Sequence, residues 1–133
     1  MRVIVADANV LLSAATGRAA QRVFLAVIEI YTTEHTLGEV RKYLPEFARR
    51  YHLTLEAVEQ EINELPMEIM PKAYYAEKLA EAGALMRSID PNDIDVAALA
   101  LKLAAPVWSN DDDFKSFPLG RYTTAELLKF LDS

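Results

Sequence analysis

Four acidic residues lie beside strongly apolar segments in separate parts of the chain. They are Asp7 after VIVA, Glu39 within LGEV, Asp93 at the start of DIDVAALALKLAA, and Asp111 after PVWSN. A carboxylate next to buried apolar residues is costly to ionise unless a positive partner neutralises it. A divalent cation shared by several carboxylates would remove that cost, so we predict that the four acids form one metal site.

The available donor atoms restrict which metal such a site would bind. The chain has no cysteine, and its histidines, His35 and His52, are interpreted as ordinary surface residues. Oxygen donors without thiolate or paired imidazole favour Mg²⁺ or Mn²⁺ over zinc or copper. Such an ion polarises a phosphate group and lowers the pKa of bound water, so the pattern indicates phosphoryl chemistry.

Each acid also has a purely structural explanation. Asp7 and Asp93 would suit helix starts, and Glu39 would complete a capping box that begins at Thr36. Asp111 and the two aspartates after it would interact favourably with the positive end of a helix dipole. At this point both explanations stay open, although capping does not account for the apolar flanks.

Predicted strands and helices alternate along the chain. The strands are expected at residues 2–6, 29–33, 67–70, 106–110 and 121–124. The helices are expected at 8–15, 18–28, from Thr36 with a kink or split at Pro45, from Thr54, at 72–88, from Asp90, at 112–117, and at 124–132. This order predicts an α/β fold, a three-layer α/β/α sandwich with a mostly parallel central sheet. Ligands bind at the carboxyl ends of such strands, where the four acids should converge.

The composition fits a single globular domain over residues 1–133. Hydrophobic residues make up 52% of the chain and charged residues 26%, which excludes a disordered or fibrous protein. The chain has no apolar run of membrane-spanning length and no secretion-signal pattern, so we expect a cytoplasmic protein without membrane contact. The net charge of −6 argues against binding of phosphate backbones by bulk positive charge.

The segments around the four acids resemble the motifs of the PIN-domain nucleases, a family that includes the VapC-like toxins of toxin–antitoxin pairs. VADANVLLSA is similar to the family's strand followed by aspartate, any residue and asparagine, and LGEVRKYL is similar to its second acidic motif. DPNDIDVAALALKL resembles the third motif, in which an aspartate stands seven residues before an alanine, as Asp93 and Ala100 do. VWSNDDDF resembles the fourth, which has a serine or threonine two residues before the acid. The order of all four over nearly the whole chain carries the resemblance.

The resemblance implies a PIN-like fold and a metal-dependent endoribonuclease. One or two Mg²⁺ or Mn²⁺ ions would be held by four catalytic carboxylates, Asp7, Glu39, Asp93 and Asp111. Asp113 and Asp95 are further candidate ligands, although two positions along a helix turn Asp95 to another side. Asn9 and Ser109 are candidates for orienting Asp7, with capping as the alternative. Activated water would attack a phosphodiester of RNA in line and leave a 5′-phosphate and a 3′-hydroxyl.

Candidate substrate contacts are scattered basic residues, for which solvated surface charge is the alternative: Arg18, Arg22, Arg41, Lys42 and Arg87. The resemblance also implies an RNA substrate, an antitoxin protein as partner, and a homodimer or higher homo-oligomer formed through helices. The Tyr75/Leu79 and Leu55/Ile62 faces would serve as an interface unless they belong to the core.

Two other functions remain as alternatives. One is a haloacid-dehalogenase-like phosphatase with Asp7 as covalent nucleophile. That chemistry needs a second acid two residues later, where this chain has Asn9. The other is a non-catalytic module of the same fold that binds RNA or a protein.

Overall fold

Five short strands form the centre of the protein. The computed structural model describes residues 2–26, 28–86 and 90–132. The strands are β1 (Val3–Ala6), β2 (Glu29–Thr33), β3 (Glu68–Met70), β4 (Val107–Trp108) and β5 (Arg121–Tyr122). They pair in the order β3-β2-β1-β4-β5, and every pair is parallel. The predicted parallel sheet is confirmed.

Helices connect the strands and cover both faces of the sheet, which confirms the three-layer α/β/α arrangement. They are α1 (Ala8–Thr16), α2 (Arg18–Phe24), α3 (Glu34–Arg50), α4 (Leu55–Glu64), α5 (Lys72–Tyr75), α6 (Leu79–Leu85), α7 (Asp93–Leu103) and α8 (Thr124–Leu131). Short 3₁₀ turns occur at Ala76–Lys78 and Asp112–Phe114. Among the helices in these ranges, none is both long and apolar enough to cross a membrane.

Strand β1 is buried on both faces because its side chains alternate between two hydrophobic layers. Ile4 and Ala6 pack with residues of α1 to α4 and α8, whereas Val5 packs with α7 and the segments before it. Residues 95–100 of α7 are buried without interruption, as its apolar sequence predicts. Tyr75 and Ile62 are also buried, so these members of the two candidate interface faces belong to the chain's own core.

The order in which the chain adds strands to the sheet reverses at β1. Strand β2 lies on one side of β1 and β4 on the other, and Ala6 pairs with Trp108. The residues that follow these strands, Asp7 and Ser109, therefore emerge side by side at the carboxyl edge. This topological switch point is where open α/β sheets bind ligands.

Helix α3 begins earlier than predicted. Thr33 is its N-terminal cap, and the Thr33 hydroxyl accepts a hydrogen bond from the Thr36 backbone N–H at 2.8 Å. The predicted capping box at Thr36 was wrong, because β2 runs into α3 without a loop. Glu39 consequently lies in the second helical turn and has no capping role. The helix also continues past Pro45, whose position is exposed, so water can reach the carbonyl group that proline leaves without a donor.

Two other helix predictions need correction. The segment predicted as one helix at 72–88 is divided by the 3₁₀ turn into α5 and α6, and residues 87 and 88 lie outside the described residues. Helix α7 starts at Asp93 rather than Asp90. Asp90 forms a turn before it, in which its Oδ1 accepts a hydrogen bond from the Asn92 N–H at 3.0 Å. Helix α2 ends at Phe24 and is shorter than predicted.

Candidate active site

A pocket of about 130 Å³ opens at the carboxyl edge of the sheet, beside β1 and β4. Its lining includes all four predicted catalytic acids together with Asp113 and Asn9. The pocket contains six carboxylates from distant parts of the chain: Asp7, Glu39, Asp90, Asp93, Asp111 and Asp113. The topology thus brings together acids that lie up to 106 positions apart in the sequence.

Asp7 lies deepest, at the end of β1, and is 4% exposed. It caps helix α1, since its Oδ1 accepts a hydrogen bond from the Val10 N–H at 3.0 Å. Burial raises the pKa of Asp7 to about 6, and the charge of Asp111 adds to that shift. Hydrogen bonds from the Ser109 hydroxyl and from the backbone N–H groups of Val10 and Asn9 lower the same pKa and limit the rise. The capping explanation is therefore correct for Asp7 and does not exclude a second role.

Ser109 joins Asp7 to the loop that carries the fourth acid. The Ser109 hydroxyl is hydrogen-bonded to the Asp7 carboxylate and accepts the Asp111 N–H at 3.0 Å. Asp111 Oδ1 in turn accepts the Asp113 N–H at 2.9 Å, and Arg121 donates to the Asp111 carbonyl at 2.7 Å. These bonds hold the loop after β4 against β1. Ser109 thus contacts the Asp7 carboxylate through its hydroxyl, whereas Asn9 does so through its backbone N–H.

Asp93, at the start of α7, is the least satisfied acid of the pocket. Its Oδ2 is buried and has no hydrogen-bond partner among the described residues. Burial raises the pKa of Asp93 to about 8, and the hydrogen bond and charge of Asp113 contribute next, followed by the charges of Asp7 and Asp90. At neutral pH, Asp93 is therefore a proton-binding group when no cation is present.

These residues fit a hard divalent cation. The donor set consists of carboxylate oxygens, which Mg²⁺ and Mn²⁺ prefer, and the buried Asp93 Oδ2 needs a positive partner. In the described ranges, no three Asp, Glu or His side chains already form a ligand set around one point. His35 is hydrogen-bonded to Asn92 at 3.3 Å, and His52 is exposed. A divalent cation in this pocket would give the Asp93 Oδ2 the positive partner that it lacks.

Asp95, a further candidate ligand, is not among the residues of the pocket. It is buried on α7, and its Oδ2 accepts the Tyr75 hydroxyl at 2.5 Å and lies 3.6 Å from Lys72 Nζ. Burial and the hydrogen bond to Asp95 raise the pKa of Tyr75. Asp95 thus links α7 to α5, as expected for a residue two positions around the helix from Asp93.

The predicted substrate-contacting residues are dispersed. Arg18 and Arg41 line two other surface depressions, and Arg22 belongs to an exposed ion pair. Lys42 packs its ammonium group over an aromatic ring at the rim of the acidic pocket. Arg87 lies outside the described residues. The pocket lining in the described ranges contains no lysine or arginine.

The pocket also contains residues that the sequence analysis missed: Thr36, Tyr43, Asp90 and Asn92. Tyr43 could have been found, because it lies one helical turn beyond Glu39 and so shares its face of α3. The presence of Asp90 and Asn92 in the pocket could not be predicted from the sequence, because their positions depend on the turn that precedes α7.

Comparison with known proteins agrees with this architecture. Three solved structures share the fold. The crystal structure of VapBC2 from Rickettsia felis bound to a promoter DNA fragment has a TM-score of 0.65 at 16% identity, covering 91% of this chain and 98% of that one. PAE2754 from Pyrobaculum aerophilum has a TM-score of 0.72 at 14% identity, covering 100% and 91%. FitAcB from Neisseria gonorrhoeae has a TM-score of 0.63 at 22% identity, covering 92% and 98%.

The family assignment follows from the sequence match. No curated protein sequence matches this chain. The PIN domain family matches residues 5–131, which include every carboxylate of the pocket. The chain therefore belongs to the PIN domain family.

Proposed function

We propose that this protein is a Mg²⁺- or Mn²⁺-dependent endoribonuclease that hydrolyses phosphodiester bonds of RNA. The observation that carries the proposal is the buried Asp93 Oδ2, which has no partner among the described residues and lies in a pocket with five other carboxylates. The family supports the proposal, because PIN domains are generally nucleases.

The catalytic residues in this proposal are Asp7, Glu39, Asp93 and Asp111, with Asp113 as an additional ligand. A bound divalent ion supplies Lewis acidity toward the phosphate and stabilises the charge that develops during hydrolysis. Ser109 and the backbone N–H groups at the start of α1 hold the Asp7 carboxylate in place. Because these donors are fixed before substrate arrives, Asp7 needs little reorganisation.

Proton release should accompany cation binding in this pocket. Burial and the neighbouring Asp113 carboxylate raise the pKa of Asp93 to about 8, so Asp93 holds a proton at neutral pH. A cation binds the ionised carboxylates, so affinity should rise as the pH increases toward 8.

We propose an antitoxin protein as partner, together with a cytoplasmic location and a homo-oligomeric state. The fold shared with VapBC2 and FitAcB supports the first of these. An antitoxin encoded beside this protein would strengthen the proposal.

Cleavage of labelled RNA by the purified protein tests the proposed activity. We expect cleavage with Mn²⁺, none with EDTA, and a loss of roughly 100-fold or more in Asp7→Asn and Asp93→Asn. Asp112→Asn is the matched control, because Asp112 belongs to the same loop, its side chain is 86% exposed and it does not line the pocket. Cleavage by Asp93→Asn at the rate of Asp112→Asn would contradict the proposal.

The phosphatase alternative lacks support at the position that distinguishes it. A covalent aspartyl mechanism would need an acid at residue 9, and Asn9 occupies the rim there. A phosphorylated Asp7 trapped from a phosphate ester would revive it. If the protein is instead a non-catalytic module that binds RNA or a protein, Mg²⁺ and Mn²⁺ should leave its melting temperature unchanged.

A further inference from the structure

We propose that Tyr43 and Lys42 form a nucleobase-binding shelf at the rim of the acidic pocket. In this proposal, which rests on the proposed ribonuclease function, the Tyr43 ring stacks on an unpaired base next to the bond that is cleaved. The ligand class is single-stranded RNA, recognised through the face of a base rather than through its sequence.

The position of Tyr43 places an aromatic ring next to the catalytic acids. Tyr43 lines the same pocket as Glu39 and Asp93, and it is 45% exposed. Residues four apart in a helix lie one above the other on the same face, so the ring of Tyr43 is a neighbour of the Glu39 carboxylate. Among the described residues of the lining, Tyr43 is the aromatic one.

Lys42 completes the shelf with a positive charge. Its Nζ lies 5.8 Å from the centroid of the Tyr43 ring, within the range of a cation–π contact. Lys42 is itself exposed, so its ammonium group can contact the phosphate of a nucleotide whose base stacks on Tyr43.

The charge of the pocket explains why such a shelf is needed. Six carboxylates and no basic side chain line the described part of the pocket, in a chain with a net charge of −6. This environment attracts cations but repels a phosphate backbone. Base stacking on an aromatic ring does not depend on net charge, and every base offers a π-face. Unstacked bases of single-stranded RNA are commonly bound in this way.

A second tyrosine near the end of the same helix provides a matched control. Tyr51 is also about half exposed, but its ring packs on Phe47 with centroids 5.1 Å apart, and it does not line the acidic pocket. A substitution at Tyr51 therefore removes an exposed aromatic ring of the same type away from the catalytic acids.

RNA binding without cleavage tests the shelf directly. Binding of short, labelled single-stranded RNA is measured in the Asp93→Asn background, with an abasic ribose-phosphate chain of the same length as a second probe. We expect Tyr43→Ala to weaken RNA binding by roughly 5- to 100-fold. Tyr43→Phe and Tyr51→Ala should bind RNA within about 2-fold of the parent, since stacking needs the ring but not the hydroxyl.

The possible outcomes separate the shelf from the ribonuclease proposal. RNA binding by Tyr43→Ala equal to that of Tyr51→Ala would overturn the shelf and leave the nuclease intact. Equal weakening for RNA and for the abasic chain would also overturn it, because the contact would then be with the backbone. If the parent binds no RNA and the unsubstituted protein cleaves none, both proposals fail. A normal melting temperature of Tyr43→Ala shows that the variant is folded.

Discussion

Two aspartates of α7, only two positions apart, have opposite surroundings. Asp95 is buried and satisfied, since it accepts the Tyr75 hydroxyl and lies near the Lys72 ammonium. Asp93 is partly buried and unsatisfied, because its Oδ2 has no hydrogen-bond partner in the described part of the chain and the charges of Asp113, Asp7 and Asp90 act on it. The helix geometry alone produces this difference, since two positions turn the side chain to the opposite face.

Burial by itself does not mark a functional carboxylate. Asp95 is the more completely buried of the two residues, yet its interactions are those of a structural ion. What distinguishes Asp93 is a buried oxygen that lacks a partner and lies near further negative charge, an arrangement that raises its pKa and favours a cation.

The largest expected difference concerns catalysis. Asp93→Asn removes a proposed ligand and should reduce RNA cleavage by roughly 100-fold or more. Asp95→Asn retains an oxygen that can accept the Tyr75 hydroxyl, so its cleavage rate per folded molecule should fall much less. Single-turnover cleavage of both variants in Mn²⁺ measures the difference. Equal losses of cleavage rate in the two variants would show that the different surroundings of Asp93 and Asp95 do not affect activity.

For the free energy of unfolding, we expect the larger effect at Asp95 rather than at Asp93. Asp95→Ala removes the acceptor of the buried Tyr75 hydroxyl and should lower the free energy of unfolding by about 1.5–3 kcal/mol. Asp93→Asn should not destabilise the metal-free protein, because it removes an unsatisfied carboxylate. Urea denaturation with EDTA measures both values. A stable Asp95→Ala variant would show that the bond between α5 and α7 is dispensable.

The stability of Asp93→Asn relative to the unsubstituted protein should depend on pH. The pKa values of Asp7 and Asp93 rise in the folded state, so the stability they contribute is complete below pH 3.8 and is lost as the pH rises through about 6 and about 8. Asparagine does not titrate. Asp93→Asn should therefore gain about 1–2 kcal/mol relative to the unsubstituted protein between pH 5 and pH 8, after allowance for the exposure of Asp93. Denaturant titrations with EDTA at each pH test this, and equal stability of Asp93→Asn and the unsubstituted protein across this range would contradict it.

The smallest expected effect belongs to Lys72. Its side chain is 59% exposed and its Nζ lies 3.6 Å from Asp95 Oδ2, so solvent screens the ion pair. Lys72→Ala should lower the free energy of unfolding by no more than about 0.5 kcal/mol. Tyr75→Phe should lower it by about 1.5–3 kcal/mol, since the buried Asp95 carboxylate then loses the hydroxyl bond. A larger effect for Lys72→Ala would show that charge, rather than the hydroxyl bond, stabilises Asp95.

The sequence predicts the arrangement of the sheet well because apolar, β-branched segments such as VIVA and EIYTT are consistent with buried strands. It also predicts that Asp7 and Asp111 meet, since both directly follow strands of a parallel sheet. The start of α3 could not be predicted, because Thr33 is both the last residue of β2 and the helix cap.

The sequence could not assign the roles of the two α7 aspartates with the same precision. Helical spacing predicts that Asp93 and Asp95 face different ways, but not that Tyr75 comes from α5 to satisfy Asp95. It also could not show that Asp113 approaches Asp93, because that contact depends on the turn after Asp111. These details are set by tertiary packing rather than by local pattern.

Titration of the protein with Mn²⁺, followed by electron paramagnetic resonance of the free ion, tests directly whether the acidic pocket binds a divalent cation through Asp93. We expect saturable binding of one or two ions by the unsubstituted protein and by Asp112→Asn, and much weaker binding by Asp93→Asn. Binding by Asp93→Asn with the affinity of Asp112→Asn, or no binding by any of the three proteins, would contradict it.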